Sequence, residues 1–409
     1  MNDQFGPTSA ASMDDGDRRL EAARQAAAIG LPRTQTEEWR YSPIGELPVS
    51  ELAPVLARPG GADVDRVDEV QERAATVVLL DGWVVDIALE PGWAEKGLSI
   101  TTERRLSSVA GEATMFDHLH HAFSPETLVI ATSTGLSVRP PIVIASHQLT
   151  SGVASFPHIV VEGADGSDLT IVEQQTSSPG FGLNVPVVEL AVGPSARVRY
   201  QTHQDLDRAQ WQLARQLSTV GGQATLTSGI AAFGAHYARV RTDSRLAGRG
   251  STGNLVAAYY GDGDQTHDFR TFQHHDARDS RSDLLFKGAQ DDASGSIYTG
   301  LIHIHPDGAG ANAFQTNRNI KLSPDAWAWS VPNLEIENND VHCSHASTVS
   351  PIDEDQQFYL GSRGVPPITA DRLIVAGFFD EVIRRLPVAA THDVVRRRVS
   401  DKLDGRMAS

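Results

Sequence analysis

The chain is poor in cysteine: Cys343 is the only one among 409 residues. A single thiol cannot form an intramolecular disulfide, and it cannot supply the set of thiolates that a cysteine-only zinc or iron–sulfur site requires. The sequence therefore excludes a disulfide framework. Any metal or cluster bound through Cys343 needs ligands of another type or from another chain.

Long apolar runs are also missing. Runs such as TVVLLDG and TLVIATS are far shorter than the ~20 residues of a membrane-spanning helix, which excludes a transmembrane protein of that kind. The first residues, MNDQFGPTSAASMDDGDRR, are polar and acidic where a secretory signal has a basic start followed by an apolar stretch. We therefore expect a cytoplasmic protein.

Positive charge is scarce. The chain has 35 lysines and arginines against 52 acidic residues, which gives a net charge of -17. Such a surface repels a phosphate backbone, so nucleic-acid binding is disfavoured. The short basic run at Arg396, Arg397 and Arg398 predicts a solvated helix face, and a docking surface for an acidic partner is the alternative.

Several catalytic motifs do not occur in the sequence: GxxxxGK[ST], GxSxG and HExxH. ATP hydrolysis by a phosphate loop, esterase-type catalysis and zincin chemistry therefore have no visible machinery. One string, GRGSTG at residues 248–253, fits GxGxxG, but a β-type run follows it where a dinucleotide fold needs a helix. It predicts a turn, and we expect any energy input to come from a partner.

What the sequence does contain is a long series of short β-type runs, from about residue 76 to residue 321, with one helical interlude at MFDHLHHAF. So much strand favours a β-solenoid over a single sandwich or barrel, and comparable runs recur every ~20 to 25 residues, as solenoid coils do. Helical patterns flank this body, for example DRRLEAARQAAAIGLP before it and TADRLIVAGFFDEVIRRLP after it. The fold class is therefore mainly β, a solenoid between helical terminal regions.

We divide the chain into four parts on these patterns. Residues 1–17 are predicted to be disordered, residues 18–110 form an N-terminal helical or mixed region, residues 111–350 form the β core, and residues 351–409 form a C-terminal helical region.

The segment NNDVHCSHAST places His342, Cys343 and His345 within four residues. In a strand, Cys343 and His345 project to one face, where a thiolate and an imidazole suit a soft metal or a cluster iron. Two ligands are too few for a closed site. Alternatives are a buried cysteine beside a hydrogen-bonded histidine and, less favoured because the two side chains point in parallel, a Cys–His nucleophile.

Two further clusters contain histidine. LIHIHPDG puts His303 and His305 on one strand face, as in cupin-type metal enzymes, but no motif supplies the carboxylate and the third histidine of such a site. A metalloenzyme of this type stays an alternative. The segment THDFRTFQHHDARDSRSDLLFKG offers His267, His274 and His275, for which a polar solenoid surface is the favoured interpretation.

Residues 282–386 contain SDLLFKGAQDDASGSIYTGLIHI, then FQTNRNIKLSPDAWAWSVPNLEIENNDVHCSHAST, then FYLGSRGVPPITADRLIVAGFFDEVI. This segment resembles the SufB/SufD family of iron–sulfur cluster assembly scaffolds, whose pattern has a QTNRNLLL-type element, DVxCSHGAT and FYLRSRGI. TEEWRYSPI and MFDHLHHAF extend the resemblance towards the N-terminus. With the moderate length and the single cysteine, they make the chain more similar to the SufD branch than to the larger SufB branch.

The resemblance implies a right-handed parallel β-helix that forms a heterodimer with a SufB-like paralogue. It implies that Cys343 and His345 are candidate ligands of a nascent iron–sulfur cluster shared with that partner at the interface. It also implies that the C-terminal helical region docks a SufC-like ABC-type ATPase. The residues that match this docking region are Phe358, Tyr359, Arg363, Gly364, Phe378 and Phe379.

The resemblance also has limits. Ala346 stands where the family has Gly, which restricts the local backbone at that position. His303 with Ile304 replaces an Arg-Val pair, so no role is carried to that pair. A SufB-like homodimeric scaffold stays an alternative, as does a homodimer of the isolated chain. The flavin that assembled complexes of the family can bind has no recognisable signature in this sequence.

Overall fold

The structure, a computed structural model, describes residues 3–13, 15–61, 70–109 and 111–408, with no side-chain description for residues 407 and 408. It is mainly β, with 45% strand and 22% helix. No helix in these ranges is long and apolar enough to cross a membrane. The four-part division of the chain stays a prediction.

The α-helices of the described residues fall in two groups, one before the main β body and one after it. They are α1 (Pro7–Ala11), α2 (Gly16–Ile29), α3 (Trp93–Lys96), α4 (Met115–Phe123), α5 (Glu354–Ser362), α6 (Pro367–Ile383) and α7 (His392–Ala408). The helices predicted at DRRLEAARQAAAIGLP, MFDHLHHAF and TADRLIVAGFFDEVIRRLP are thus confirmed.

The strands run almost without interruption from the first third of the chain to the start of α5. They are β1 (Ala53–Pro54), β2 (Ala75–Leu80), β3 (Trp83–Leu89), β4 (Leu98–Glu103), β5 (Thr127–Thr132), β6 (Ser137–Gln148), β7 (Val153–Ser155), β8 (His158–Gly163), β9 (Asp168–Ser177), β10 (Gly182–Asn184), β11 (Val187–Val192), β12 (Arg197–Asp205), β13 (Gln210–Val220), β14 (Thr225–Ala232), β15 (Tyr237–Leu246), β16 (Thr252–Gly261), β17 (Thr266–His275), β18 (Arg281–Gln290), β19 (Gly295–Ile304), β20 (Ala311–Lys321), β21 (Trp327–Ile336) and β22 (Val341–Pro351).

These strands form two sheets that the chain visits alternately. Sheet A has the order β21-β19-β17-β15-β13-β11-β8-β5-β4, and sheet B has the order β22-β20-β18-β16-β14-β12-β9-β6-β2-β3. Along both orders the pairs are parallel, apart from the antiparallel pairs β2–β3 and β4–β5 at the N-terminal end. The result is a β-solenoid of about 8 turns, which confirms the predicted fold class.

The coils are longer than the sequence spacing predicts. Thr266 of β17 pairs with Gly295 of β19, so one coil here takes 29 residues rather than roughly 20 to 25. The difference arises because neighbouring β-type runs belong to opposite sheets. Between them lie tight turns such as the one at residues 248–253, where Gly250 has a φ of 68°. The turn predicted at GRGSTG is therefore confirmed.

The interior of the solenoid changes along its length. In the first coils it is aliphatic, with Ile130, Val161 and Leu190 in one buried cluster. In later coils aromatic rings such as Phe269 and Tyr298 fill the space between the sheets. The alternation of inward and outward side chains in each strand places both sets of residues between the sheets.

The N-terminal residues are ordered against the solenoid. The Phe5 ring is fully buried and meets the Phe123 ring edge to face, with centroids 5.7 Å apart. The Arg19 guanidinium donates to the Ala122 carbonyl oxygen at 2.8 Å. The predicted disorder of residues 1–17 therefore does not hold for residues 3–13 and 15–17, because Phe5 gains a buried apolar site. Residues 1, 2 and 14 lie outside the described residues.

The C-terminal helices pack on the outer face of sheet B. Val375 and Phe379 of α6 are fully buried in a cluster with Tyr260 of β16. Helix α7 is held by ion pairs, of which Arg396 to Asp380 measures 2.9 Å. The tail is thus joined to the body by an apolar seam with charged pairs along it.

Candidate functional site

The solenoid ends at β21 in sheet A and β22 in sheet B, which we call the open end. Each sheet order terminates at one of these strands, so the outer edge of each presents backbone N–H and C=O groups that the ladder leaves unpaired. Edge strands of this kind pair readily with another chain unless something covers them. The open end is therefore a surface suited to extension of the sheets by a partner.

Cys343 lies on β22, directly beside Ala313 of β20. It is half-buried, and it packs in an apolar cluster that contains Ile302 and Ile304 of β19. This burial raises the pKa of the Cys343 thiol, which keeps the thiol protonated near neutral pH. A metal that binds here must displace that proton.

His345 lies two residues further along β22 and is exposed. It is paired with Gln315 of β20, whose side chain is only 1% exposed and whose amide oxygen and nitrogen both have no hydrogen-bond partner. The imidazole thus stands next to an unsatisfied polar group of the interior. Such a group favours a polar ligand or water at this position.

Cys343 and His345 share one face of β22, whereas His342 points to the other face. The structure confirms that the segment is a strand. Within the described parts of the chain, the histidines, cysteine and acids that gather in groups of three or more do so elsewhere. The pair therefore supplies two potential ligands at an edge, and the described parts of the chain add no third one to them.

The predicted ATPase-docking residues divide into an exposed and a buried set. Phe358 is 79% exposed and Tyr359 is 58% exposed on α5, and the Arg363 guanidinium lies 5.4 Å from the Tyr359 ring centroid. Gly364 is exposed and has a φ of 81°. These residues form an accessible surface at the C-terminal end of α5.

Phe378 and Phe379 of α6 lie differently. Phe378 is partly buried, and the Lys287 ammonium sits 4.4 Å from its ring centroid. Phe379 is fully buried, with its ring stacked on Tyr260 at 6.3 Å. The proposed docking contact is therefore corrected at Phe379, because a partner cannot reach this ring without opening the core.

The interpretation of His267, His274 and His275 as a polar solenoid surface is wrong for two of the three. His267 and His275 are at most 1% exposed and point into the solenoid, not onto a polar surface. Burial lowers the pKa of His267 to about 3 and that of His275 to about 4. The sequence contains a signal for this burial, because His267 and His275 lie at the same alternating positions of the strand as the apolar Phe269. His274 alone of the three faces outward, opposite His303 on the neighbouring strand.

The basic run near the C-terminus does not form a solvated face as a whole. Arg396 binds Asp380 of α6 and Arg398 binds Asp205 of β12. Further along α7, Lys402 binds Asp262 at 2.6 Å. These charges hold α7 on the body, which the sequence alone does not reveal because the acidic partners are distant in the chain.

Comparison with known proteins identifies the family to which the chain belongs. The family model for the SUF system FeS cluster assembly SufBD core domain matches residues 144–378, from β6 through most of α6. The chain belongs to the SufBD family. This SufBD core covers the solenoid from β6 to β22 and includes both Cys343 and His345.

Relatives of this SufBD chain match it over most of their own length. It is 31% identical over 378 residues to an iron–sulfur cluster assembly SufBD family protein of Mycobacterium leprae (strain TN), covering 90% of each chain. The iron–sulfur cluster assembly protein SufD of Bacillus subtilis (strain 168) is 25% identical, with 93% of each chain covered. SufD of Escherichia coli (strain K12) is 26% identical, with 93% of this chain and 92% of the relative covered.

Proposed function

We propose that this SufBD family protein is the SufD-like scaffold subunit of a cytoplasmic iron–sulfur cluster assembly complex. In this proposal it has no catalytic activity of its own. It pairs with a SufB-like paralogue through the open end, docks a SufC-like ATPase on its C-terminal helices, and contributes ligands to a nascent cluster at the subunit interface. The cluster is cargo that the complex builds and releases.

The observation that carries the proposal is the position of Cys343 and His345. Both side chains lie on β22, the last strand of sheet B, whose outer edge pairs with no strand of the described residues. A partner strand added to that edge would bring its own side chains next to these two. The incomplete ligand set and the incomplete sheet thus occur at the same place.

The chemistry of the two ligands suits a transient site. A thiolate binds iron strongly, while an imidazole binds it less strongly, so a mixed set holds a cluster less tightly than four thiolates. The raised pKa of the Cys343 thiol adds competition from the proton. Both effects favour transfer over storage.

The absence of a phosphate-loop motif supports an external source of energy. The proposed contact for the ATPase is the exposed apolar surface of α5 and the start of α6, which includes Phe358, Tyr359 and Ile368. Apolar patches rimmed by polar residues commonly mark such interfaces. Helix α6 also packs on sheet B, so movement of the docked ATPase would be passed directly to the β body.

The test is cluster formation on the purified complex with His345→Ala, using His342→Ala as the matched control on the opposite face of β22. We expect the His345 variant to lower cluster yield about tenfold while the subunits still assemble, and the control to behave as wild type. Visible absorption of the reconstituted complex measures the yield. An unchanged yield would remove His345 from the mechanism.

Co-purification separates the proposal from its nearest alternative. A tagged chain should bring down an ATPase and a longer paralogue, and the isolated chain should be colourless. A coloured, self-sufficient dimer would instead identify a homodimeric scaffold. Normal cluster maturation by a Cys343→Ser variant would assign Cys343 to packing alone.

A further inference from the structure

A second cluster of potential ligands lies on the outer face of sheet A. His274 is on β17, His303 is directly opposite on β19, and His305 follows the end of β19. One ligand nitrogen from each imidazole lies within 4.8 Å of the others, and this is the one such group of three in the described parts of the chain. The sequence shows only two of its members as a motif, because His274 is brought in by the register of adjacent coils.

The rings are packed closely. The His303 and His305 centroids are 3.8 Å apart, and the His274 ring is 5.6 Å from His303 and 5.7 Å from His305. The His305 Nε2 atom lies 3.5 Å from the His274 Nδ1 atom. All three residues are partly exposed, so ions can enter the cluster from solvent.

Acidic groups surround the three imidazoles. The buried Asp276 Oδ1 atom lies 3.2 Å from the His305 Nε2 atom, within ion-pair distance. Its sister oxygen, Oδ2, accepts from Arg245. On the other side, Glu337 Oε1 lies 2.7 Å from the His303 Nε2 atom. Carboxylate oxygens beside three imidazole nitrogens give this cluster the mixed nitrogen and oxygen donors that divalent transition metals bind.

We propose that His274, His303 and His305, with the Oδ1 oxygen of Asp276, bind a divalent transition-metal ion, for which Zn²⁺ is the best-suited occupant. Three imidazoles and one carboxylate oxygen make a four-ligand tetrahedral set. Ligand nitrogens in such a site lie about 3.3 Å apart, given Zn–N bonds of about 2.0–2.1 Å. Rotation of the partly exposed rings closes the remaining gap, and Glu337 then orients His303.

This site is separate from the Cys343 and His345 pair. It lies on sheet A, its ligands are imidazoles and a carboxylate without a thiol, and it needs no partner chain. It would link two successive coils, β17 and β19, close to the open end. The proposal does not rest on the cluster-assembly function, and bound metal would stabilise the terminal coils by binding only the folded state.

The test is titration of the metal-free purified chain with Zn²⁺ by calorimetry. We expect one ion per chain, and His303→Asn or His274→Gln to weaken the affinity at least tenfold, since even outer-shell partners are worth 10 to 100-fold. The matched control is His342→Asn, an exposed histidine of β22 outside the cluster. Added Zn²⁺ should raise the melting temperature of the wild type and of this control, but not of the cluster variants.

The His345→Ala variant distinguishes the two sites. Zinc binding that keeps its affinity in His345→Ala and is weakened at least tenfold in His303→Asn supports the proposed site. The absence of saturable binding to the wild type overturns it, as does an affinity that is unchanged in His303→Asn or is lost in His345→Ala. Circular dichroism without zinc checks that each variant folds, and His305→Asn replaces any variant that does not.

Discussion

Gly288 shows how closely single residues are fitted between the sheets. It lies on β18 beside Tyr259 of β16, and a methyl group at Gly288 would overlap the Tyr259 ring. The Tyr259 hydroxyl donates to Asn319 at 2.8 Å, so the ring is held in place. The space above Gly288 is therefore part of the packing of the core.

We expect Gly288→Ala to lower the free energy of unfolding by about 1–3 kcal/mol, because the added methyl group overpacks the interior. The matched control is Gly377→Ala in α6, where open space surrounds the position and alanine is favoured in a helix by up to about 1 kcal/mol. Urea unfolding measures both. A Gly288 variant as stable as wild type would contradict the assigned packing.

At the same scale, the sequence predicts part of the candidate site. Strand alternation places Cys343 and His345 on one face because successive side chains of a strand alternate. It does not place His274 opposite His303, because that depends on a 29-residue coil length set by the turns. Nor does it show that Phe379 is buried, because α6 presents one of two adjacent phenylalanines to sheet B.

At the scale of elements, α5 and the start of α6 expose large apolar side chains that do not pack in the core. Phe358 and Ile368 are 79% and 63% exposed, so these apolar side chains contribute little to the core. Burial of an apolar side chain in an interface contributes roughly 1.5–3 kcal/mol. An apolar surface of this kind is more useful to a partner than to the isolated chain.

If the proposed SufC-like ATPase docks here, a double variant, Phe358→Ala with Tyr359→Ala, should weaken its binding at least tenfold, because it removes two exposed apolar contacts. The melting temperature should stay unchanged. Leu56→Ala, at a residue that is 39% exposed outside these helices, is the control. Calorimetric titration with the ATPase gives the affinities, and equal values for both variants would exclude α5 as the docking element.

At the scale of the whole molecule, the solenoid interior contains uncharged histidines. His267 and His275 are buried between the sheets, with pKa values lowered by desolvation to about 3 and about 4. In the unfolded chain they take up protons below about pH 6.5, whereas the folded chain resists protonation until the lower values. Their contribution to stability is thus complete above about pH 6.5 and is lost as the pH falls towards 4.

We therefore expect the urea concentration at the unfolding midpoint to be lower at about pH 5 than at about pH 7.5. Each histidine lowers the free energy of unfolding by at most about 1.4 kcal/mol per pH unit. A His275→Gln variant should show a weaker pH dependence, since it removes one titrating group. Urea unfolding followed by circular dichroism at the two pH values provides the measurement. An equal midpoint at both would show that these histidines are protonated in the folded state.

By itself, the sequence determined the class of the molecule: a β-solenoid between helical regions, one cysteine, no phosphate loop, and a segment that resembles the SufB/SufD family. Local patterns suffice for these features because strand alternation, helix periodicity and turn residues act over a few positions. The tertiary structure alone decided which edge is left unpaired, which histidines meet and which arginines hold α7. Those depend on contacts between residues that are tens to hundreds of positions apart, such as Arg398 with Asp205.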